Sequence, residues 1–535
     1  MGDKILDKKA KTQDPSKDLK NEATKTARDK VVILDFGSQY THLIRRKIRE
    51  LSVNAEIVKF GISAEEIMKM NPKAIIFSGG PSSVYEANSP KPENRIFEMN
   101  VPILGICYGH QLIVDHFGGK VNPGKKEYGP EEIEFDSKSK LFVGISEHKV
   151  WMSHGDAAST LPDNFSIIAH TKGSFATAIE NRDKKIYGLQ FHPEVVHTPQ
   201  GTAILKNFVV GIAGARQELN IDKFIESKIA ELSAIEGRVI FGVSGGVDST
   251  VAATLLSRAI GDKVTCVFVD NGLLREGEAE DVVDLFKNRL GVKNFVKIDA
   301  SERFISALKG VGEPEQKRKI VGKVFADVFI DFARSKGPFE YLGQGTLYPD
   351  VIESGVSGGP AAVIKTHHNV GGLPADLGLK VIEPLRDLYK DEARRVGRSL
   401  GIPENITNRH PFPGPSLAVR IVGEVTEEKL KISRHASKIV EEELRIAGLY
   451  DSVWQAFAVV DDTVVTGVVG DKRRVAHQVS IRVWESTDAM TADWAQLPWE
   501  VLRSMSRRIT SDLGDSVVSV TYNITSKPPS TIEPQ

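Results

Sequence analysis

Cysteine is nearly missing: a chain of 535 residues carries two, Cys107 and Cys266. So few thiols in so long a chain exclude a disulfide scaffold and point to a reducing, cytoplasmic setting. Long apolar runs are missing too. None approaches the ~18–20 residues that a membrane-crossing helix needs, so no membrane partner is expected. Neither sign of charge dominates, with 70 Lys plus Arg against 71 Asp plus Glu. That balance gives no support for a nucleic-acid binder and leaves only local basic sites. The first residues lack the apolar core and small-residue cleavage pattern of a secretory signal, and their acidic residues argue against a transit peptide. Residues 1–29 contain no aromatic side chain and mix Lys with Asp. Such a segment cannot bury enough surface to offset its ordering entropy, so a disordered tail is expected.

The rest is ordinary globular sequence, 41% apolar. One core rarely grows past roughly 250–300 residues, so several domains are expected. Val31–Asp35, Ala74–Phe77 and Pro102–Ile106 are apolar runs without alternation. Helical spacing, such as Leu43, Ile44, Ile48 and Leu51, separates them. That pattern predicts a parallel sheet covered on both faces, an α/β domain over 30–215. A periodic stretch, Ile221–Ile235, leads into strands Arg238–Val243 and Val264–Asp270, a second α/β unit over 216–410. The Pro-rich stretch His410–Pro415 breaks the pattern. Beyond it, strand-like runs Phe457–Val460 and Val475–Val483 flank long helical patterns, predicting a small α+β domain over 411–535.

Cys107 stands between an apolar strand and a helical segment, in Gly105-Ile106-Cys107-Tyr108-Gly109-His110-Gln111. A sharp strand-to-helix turn exposes a side chain at the sheet's carboxyl edge, and flanking glycines permit the turn. The helix N-terminus favours a thiolate there. An arbitrary cysteine is more often a buried structural residue. Cys266, inside Val264–Val269, fits that description, whereas the glycine frame sets Cys107 apart. A thiolate nucleophile needs a base, and the base an orienting partner. The run Tyr187–Phe191 ends in His192-Pro193-Glu194, so one loop presents an imidazole and a carboxylate. Taken alone, that tripeptide would be read as a surface loop.

Together Gly79-Gly80-Pro81, Gly105–Gln111 and Gln190–Glu194 resemble the class I, triad-type glutamine amidotransferases over about residues 31–212. The resemblance implies that Cys107 attacks the glutamine side-chain amide, that His192 is general base and acid, and that Glu194 orients His192. It implies an oxyanion hole from the backbone amides of Gly80 and Tyr108, and a glutamine-holding role for Gln111.

A second loop, Ser244-Gly245-Gly246-Val247-Asp248-Ser249-Thr250, follows a strand and opens a helix. Glycines let backbone N–H groups approach an anion, and the helix N-terminus favours negative charge. The hydroxyls of Ser244, Ser249 and Thr250 are further donors. No Gly-Lys-Ser/Thr is present, so this is not a Walker A loop. It looks like the loop of the ATP pyrophosphatases, of adenine-nucleotide α-hydrolase-like fold. That likeness implies ATP cleavage between the α and β phosphates and adenylation of a substrate oxygen. Mg²⁺ is then expected, with Asp248 as its ligand, and no prosthetic group.

Gly345–Ser354, Lys365–Pro374, Arg409–Pro415 and Lys527–Glu533 resemble segments of the GMP synthetase family. The likeness implies xanthosine monophosphate as acceptor and a C-terminal domain that makes a homodimer. Lys527, Ile532 and Glu533 are then candidate acceptor contacts. The run Lys317-Arg318-Lys319 follows Gly312-Glu313-Pro314 and is either a solvated helix face or a lid reaching phosphate. Two departures stand out: Ser416 where the family has glycine, and Pro534-Gln535 where it has an aromatic residue and an acid. The motif residues speak against two rival readings. One keeps both chemistries but changes the acceptor, as in NAD or asparagine synthesis. The other is a regulatory protein that binds nucleotide with decayed catalytic domains.

Overall fold

The computed structural model describes residues 29–217, 220–353, 378–469, 471–486 and 491–535. Residues 1–28 and the Lys365–Pro374 segment lie outside the described residues. Two compact units divide the chain between Asn220 and Ile221.

The first unit carries strands β1 (Lys30–Asp35), β2 (Asn54–Lys59), β3 (Ala74–Phe77), β4 (Ile103–Ile106), β5 (Lys120–Glu132), β6 (Glu134–Phe135), β7 (Lys149–Thr160), β8 (Ser166–His170), β9 (Ala178–Asn181) and β10 (Ile186–Leu189). Eight of them form one sheet in the order β2-β1-β3-β4-β10-β9-β8-β6. From β2 to β10 every pairing is parallel. Alternate residues of β1 and β3 enter separate cores: Val31, Ile33, Ala74 and Ile76 on one face, Val32, Leu34, Ile75 and Phe77 on the other. Apolar runs without alternation are what a sheet covered on both faces requires. The sheet is nevertheless mixed, because β9, β8 and β6 extend it antiparallel. A separate two-stranded sheet pairs β5 with β7. These strands are half exposed; β7 alternates buried and open positions over its first half. They therefore lack the continuous apolar signal of the parallel strands. Asp29, assigned by sequence to the tail, belongs to this unit; its carboxylate accepts Arg216 N at 3.0 Å and Nε at 3.1 Å.

In the second unit, β11 (Val239–Val243), β12 (Val264–Asp270), β13 (Phe295–Asp299), β14 (Tyr341–Gly343) and β15 (Lys380–Ile382) make a parallel sheet in the order β13-β12-β11-β14-β15. Val239, Phe241 and Val243 pack to one face and Ile240 to the other. The chain reverses direction across the sheet at β11, the switch point where open α/β sheets bind ligands at their carboxyl ends. A second sheet contains β16 (Gln455–Val469), β17 (Lys472–Glu485), β18 (Asp493–Trp494) and β19 (Val517–Tyr522). Residues of helices Glu427–Ile446 and Trp499–Asp512 share its core, including Ile439, Val440, Met505 and Ile509. The strand-like runs read from sequence are the inner parts of a longer hairpin, β16–β17, with an irregularity between Val460 and Val464.

Crowding is greatest where β4 gives way to helix Tyr108–His116. A methyl on Gly105 would lie 2.3 Å from Gly109 O, and one on Gly109 would lie 2.5 Å from Phe77 O. Gly109→Ala is therefore expected to destabilise the first unit by about 1–3 kcal/mol. Gly61→Ala, which meets nothing within 4 Å, should stay within about 0.5 kcal/mol of the parent. Thermal unfolding of the two variants checks the contrast; equal midpoints would refute it.

Candidate active site

Cys107 caps the helix Tyr108–His116 with φ 54° and ψ −105°. A residue other than glycine at positive φ is strained, and such strain persists only where the surroundings enforce it. Here Cys107 N donates to Leu189 O at 2.7 Å, and Gly109 N to Ser78 O at 3.1 Å, which fixes the turn between β4, β10 and the end of β3. Cys107 is 6% exposed. Its Sγ lies 3.6 Å from Ser153 O and 3.8 Å from Gln190 Nε2.

His192 and Glu194 follow β10, both buried, with Nδ1 and Oε1 2.7 Å apart. Burial acts to lower the His192 pKa, but the Glu194 charge and the nearby Cys107 outweigh it and hold it well above 6.5. His192 Nε2 is buried and has no conventional hydrogen-bond partner. Gly79 lets cysteine and histidine meet: a methyl there would stand 3.3 Å from His192 Cε1 and 3.6 Å from Cys107 Cβ. Gly80 lies against Tyr108, since its added methyl would meet the Tyr108 ring at 3.3 Å and Phe36 O at 2.7 Å. Tyr108 is the first residue of its helix, so its N–H has no intrahelical acceptor. Gln111 Nε2 donates to Asp156 O at 2.9 Å, which sets its amide beside the same pocket wall. The structure thus brings Cys107, His192, Glu194, Gly80, Tyr108 and Gln111 to the carboxyl edge of one sheet.

The loop after β11 has its left-handed residue at Gly245, φ 73°, where a methyl would clash with Val282 at 2.5 Å. Gly246 has φ −75° and caps helix Val247–Ile260. Ser244 is exposed and its Oγ lies 3.0 Å from Ser249 Oγ. Thr250 is fully buried and donates to Gly246 O at 2.8 Å, so its hydroxyl serves its own helix rather than an anion. Asp248 keeps 29% of its side chain exposed, yet its Oδ1 is buried without a partner. Burial raises its pKa, partly opposed by Lys390, whose Nζ lies 3.4 Å from Oδ2. Gly345 packs on this loop, 3.0 Å from Ser249 N if given a methyl.

Lys317-Arg318-Lys319 is neither a lid nor a wholly solvated face. Glu313 caps helix Pro314–Lys336 by accepting Glu315 N at 3.0 Å and Gln316 N at 2.6 Å, so the entry is fixed rather than flexible. Lys317 is fully buried, with Nζ donating to Ala418 O at 3.2 Å, Ile421 O at 2.6 Å and Gln535 Oε1 at 2.6 Å. Burial, assisted by Lys429, brings its pKa down to about 8. Arg318 bonds the Gln535 backbone oxygen, and Lys319 is exposed. Lys527 exchanges backbone hydrogen bonds with Ala492 at 2.7 and 3.1 Å. Ile532 is buried beside Phe457 and Trp484. Glu533 receives Arg420 Nε at 3.1 Å and Nη2 at 3.0 Å. Sequence reasoning missed Arg420, Lys390, Glu127 and His154. Charged residues far from the glycine motifs gave no local signal.

Three family models match the chain: glutamine amidotransferase class-I over residues 32–212, NAD synthase over 219–320, and GMP synthase C terminal domain over 442–534. The chain is 50% identical over 507 residues to the glutamine-hydrolyzing GMP synthase of Clostridium tetani (strain Massachusetts / E88), covering 94% of this chain and 99% of that one. It is 50% identical over 510 residues to the enzyme of that name from Clostridium novyi (strain NT), with 95% and 99% covered. For that of Caldicellulosiruptor saccharolyticus the identity is 51% over 508 residues, with 94% and 99% covered. The NAD synthase match ends at residue 320, whereas these likenesses run nearly end to end. The chain therefore belongs to the glutamine-hydrolyzing GMP synthase family.

Proposed function

We propose that Cys107, His192 and Glu194 carry the glutamine-hydrolysing half of GMP synthesis and that Ser244–Thr250 carries the ATP-consuming half. The reaction is that of the family: ammonia from glutamine aminates xanthosine monophosphate through an adenylated intermediate, and ATP becomes AMP and pyrophosphate. The observation that carries the residue assignment is the strained, glycine-framed Cys107 facing a buried His192–Glu194 pair. Cys107 Sγ attacks the glutamine side-chain carbonyl. The backbone N–H groups of Gly80 and Tyr108 receive the developing oxyanion. His192 gives its proton to the departing ammonia, and then takes one from the water that cleaves the thioester and releases glutamate. Glu194 keeps the imidazole oriented and its positive charge compensated. Gln111 walls the glutamine pocket.

At the second site the backbone N–H groups of Gly245 and Gly246 and the hydroxyls of Ser244 and Ser249 suit the triphosphate. A substrate oxygen attacks the α phosphorus, pyrophosphate leaves, and ammonia then displaces AMP. An orphaned, buried carboxylate oxygen on Asp248 suits a divalent cation. Mg²⁺ is commonly held by one or two carboxylates and the substrate's own phosphates, and no group of three or more acidic, His or Cys ligands gathers among the described residues. When bound, Mg²⁺ offsets phosphate charge. Lys527, Ile532 and Glu533 form the acceptor side, and Lys317 and Arg318, on helix Pro314–Lys336, hold Gln535 next to it. Residues 30–215, 216–410 and 411–535 are the three working domains. Exposed Val464, Val468 and Val475 on the β16–β17 hairpin support a homodimer through the last of these. Two free cysteines support a cytoplasmic setting.

Cys107→Ala should abolish glutamine-dependent GMP formation and leave formation from added ammonia, measured as AMP and pyrophosphate release; glutamine use near the parent level would refute the nucleophile. Gly245→Ala and Asp248→Ala should each stop adenylation, the first through steric strain and the second through loss of a charged ligand. Substantial ATP–pyrophosphate exchange in both would count against the loop. Glu194→Gln should impair hydrolysis less than His192→Ala. It removes a charge that raises the His192 pKa, so the imidazole should titrate at lower pH; an unchanged NMR titration would contradict the pairing.

A further inference from the structure

We propose that Glu127 and His154 form a positioning pair that sets the Ser153–Asp156 backbone against Cys107. The inference rests on placing glutamine hydrolysis at Cys107. The two residues are direct cross-strand partners in the β5–β7 sheet, just past an irregularity between Pro123 and Glu127. Their side chains are 2% and 1% exposed and approach to 3.1 Å, His154 Nε2 to Glu127 Oε2. Neither group belongs to the triad, and two buried titratable groups are a costly way to join two strands.

The hydrogen-bond roles are constrained. His154 Nδ1 lies 3.0 Å from Asp156 O. A carbonyl oxygen only accepts, so Nδ1 carries the proton. Glu127 Oε1 accepts from Thr171 Oγ1 at 3.1 Å, while that hydroxyl oxygen accepts Gly173 N and Ser174 N. One proton is then left to share between Nε2 and Oε2. Without it, a nitrogen lone pair would face a carboxylate in a dry site. With it, the pair is neutral in sum and holds the imidazole on Asp156 O. His110, His192 and the Asp156 carboxylate are further titratable groups near His154. Burial, with a smaller push from His154, lowers the His110 pKa to about 3, so His110 does not compete for the proton.

The backbone held in this way touches the site at two points. Ser153 O faces Cys107 Sγ at 3.6 Å, and Asp156 O accepts Gln111 Nε2 at 2.9 Å. The Asp156 carboxylate is tied in turn to Ser83 and, at 3.0 Å, to Tyr85. A shift of this strand therefore moves the Gln111 amide as well as the carbonyl that faces the thiol.

The test uses the full chain and follows glutamine hydrolysis and thermal unfolding. Glu127→Ala should raise the KM for glutamine roughly tenfold or more while kcat changes less, and ammonia-dependent synthesis should be unaffected. His154→Asn supplies an N–H to Asp156 O without needing a partner at Nε2. Glu127→Ala placed in the His154→Asn background should therefore cause no further loss, a coupling that independent structural defects would not show. Parent-like KM in Glu127→Ala, strictly additive effects, or a lowered unfolding midpoint with KM unchanged would each overturn the pair's role. Cys107→Ala separates the two claims. If it still hydrolyses glutamine, the placement of the chemistry fails; if it is inactive while Glu127→Ala behaves as parent, only the pair fails.

Discussion

Close backbone approach at the carboxyl ends of parallel strands is the constraint on which both candidate sites depend. A side chain or a row of N–H groups reaches a ligand there only if the following helix starts hard against the sheet. The chain meets that demand in two ways. Where a side chain must be presented, the strained residue is Cys107 itself at φ 54°. Crowding is then relieved by its neighbours Gly105 and Gly109, whose added methyl groups would strike backbone. Where backbone must be presented, the left-handed residue is glycine, Gly245 at φ 73°. The difference follows from what each loop must offer, sulfur in one case and N–H groups in the other.

Burial and chain reversal explain which features were legible in the sequence. Apolar runs identified β1, β3, β4, β11 and β12, and glycines identified both turns, because these signals are local. The β5–β7 sheet was missed, since half-exposed strands with polar residues resemble loops. With it went Glu127 and His154, which meet only through strand register. Lys317 illustrates the opposite error. A buried ammonium and a solvated one look alike in sequence, and only the carbonyl oxygens of Ala418 and Ile421, a hundred residues downstream, distinguish them. Gly245 and Gly246 were likewise indistinguishable until one proved left-handed and the other extended at the helix cap.

Ser416 shows how a departure from a family pattern is absorbed. The residue has φ 57°, a conformation that costs an L-residue roughly 1–2 kcal/mol and glycine nothing. Its hydroxyl takes Asn271 Nδ2 at 3.0 Å in a buried setting, and a hydrogen bond of that kind contributes about 0.5–1.5 kcal/mol. The two effects are of similar size, so serine holds the turn that glycine would have made.

The same reasoning joins two sequence segments that resemble the family separately. The Pro-rich stretch at 411–415 and the segment at 527–533 are far apart in the chain. Arg420 links them: its buried guanidinium lies 5.0 Å from the Phe412 ring centroid and 3.9 Å from that of Phe457, and it pairs twice with Glu533. Gln455 closes the connection by donating to Pro411 O at 2.8 Å and Glu533 Oε1 at 3.1 Å. The aromatic bracket holds Arg420, Arg420 fixes Glu533, and Glu533 fixes the segment that carries Ile532 into the core beside Trp484. A change at Phe412 would therefore reach the proposed acceptor side through one guanidinium.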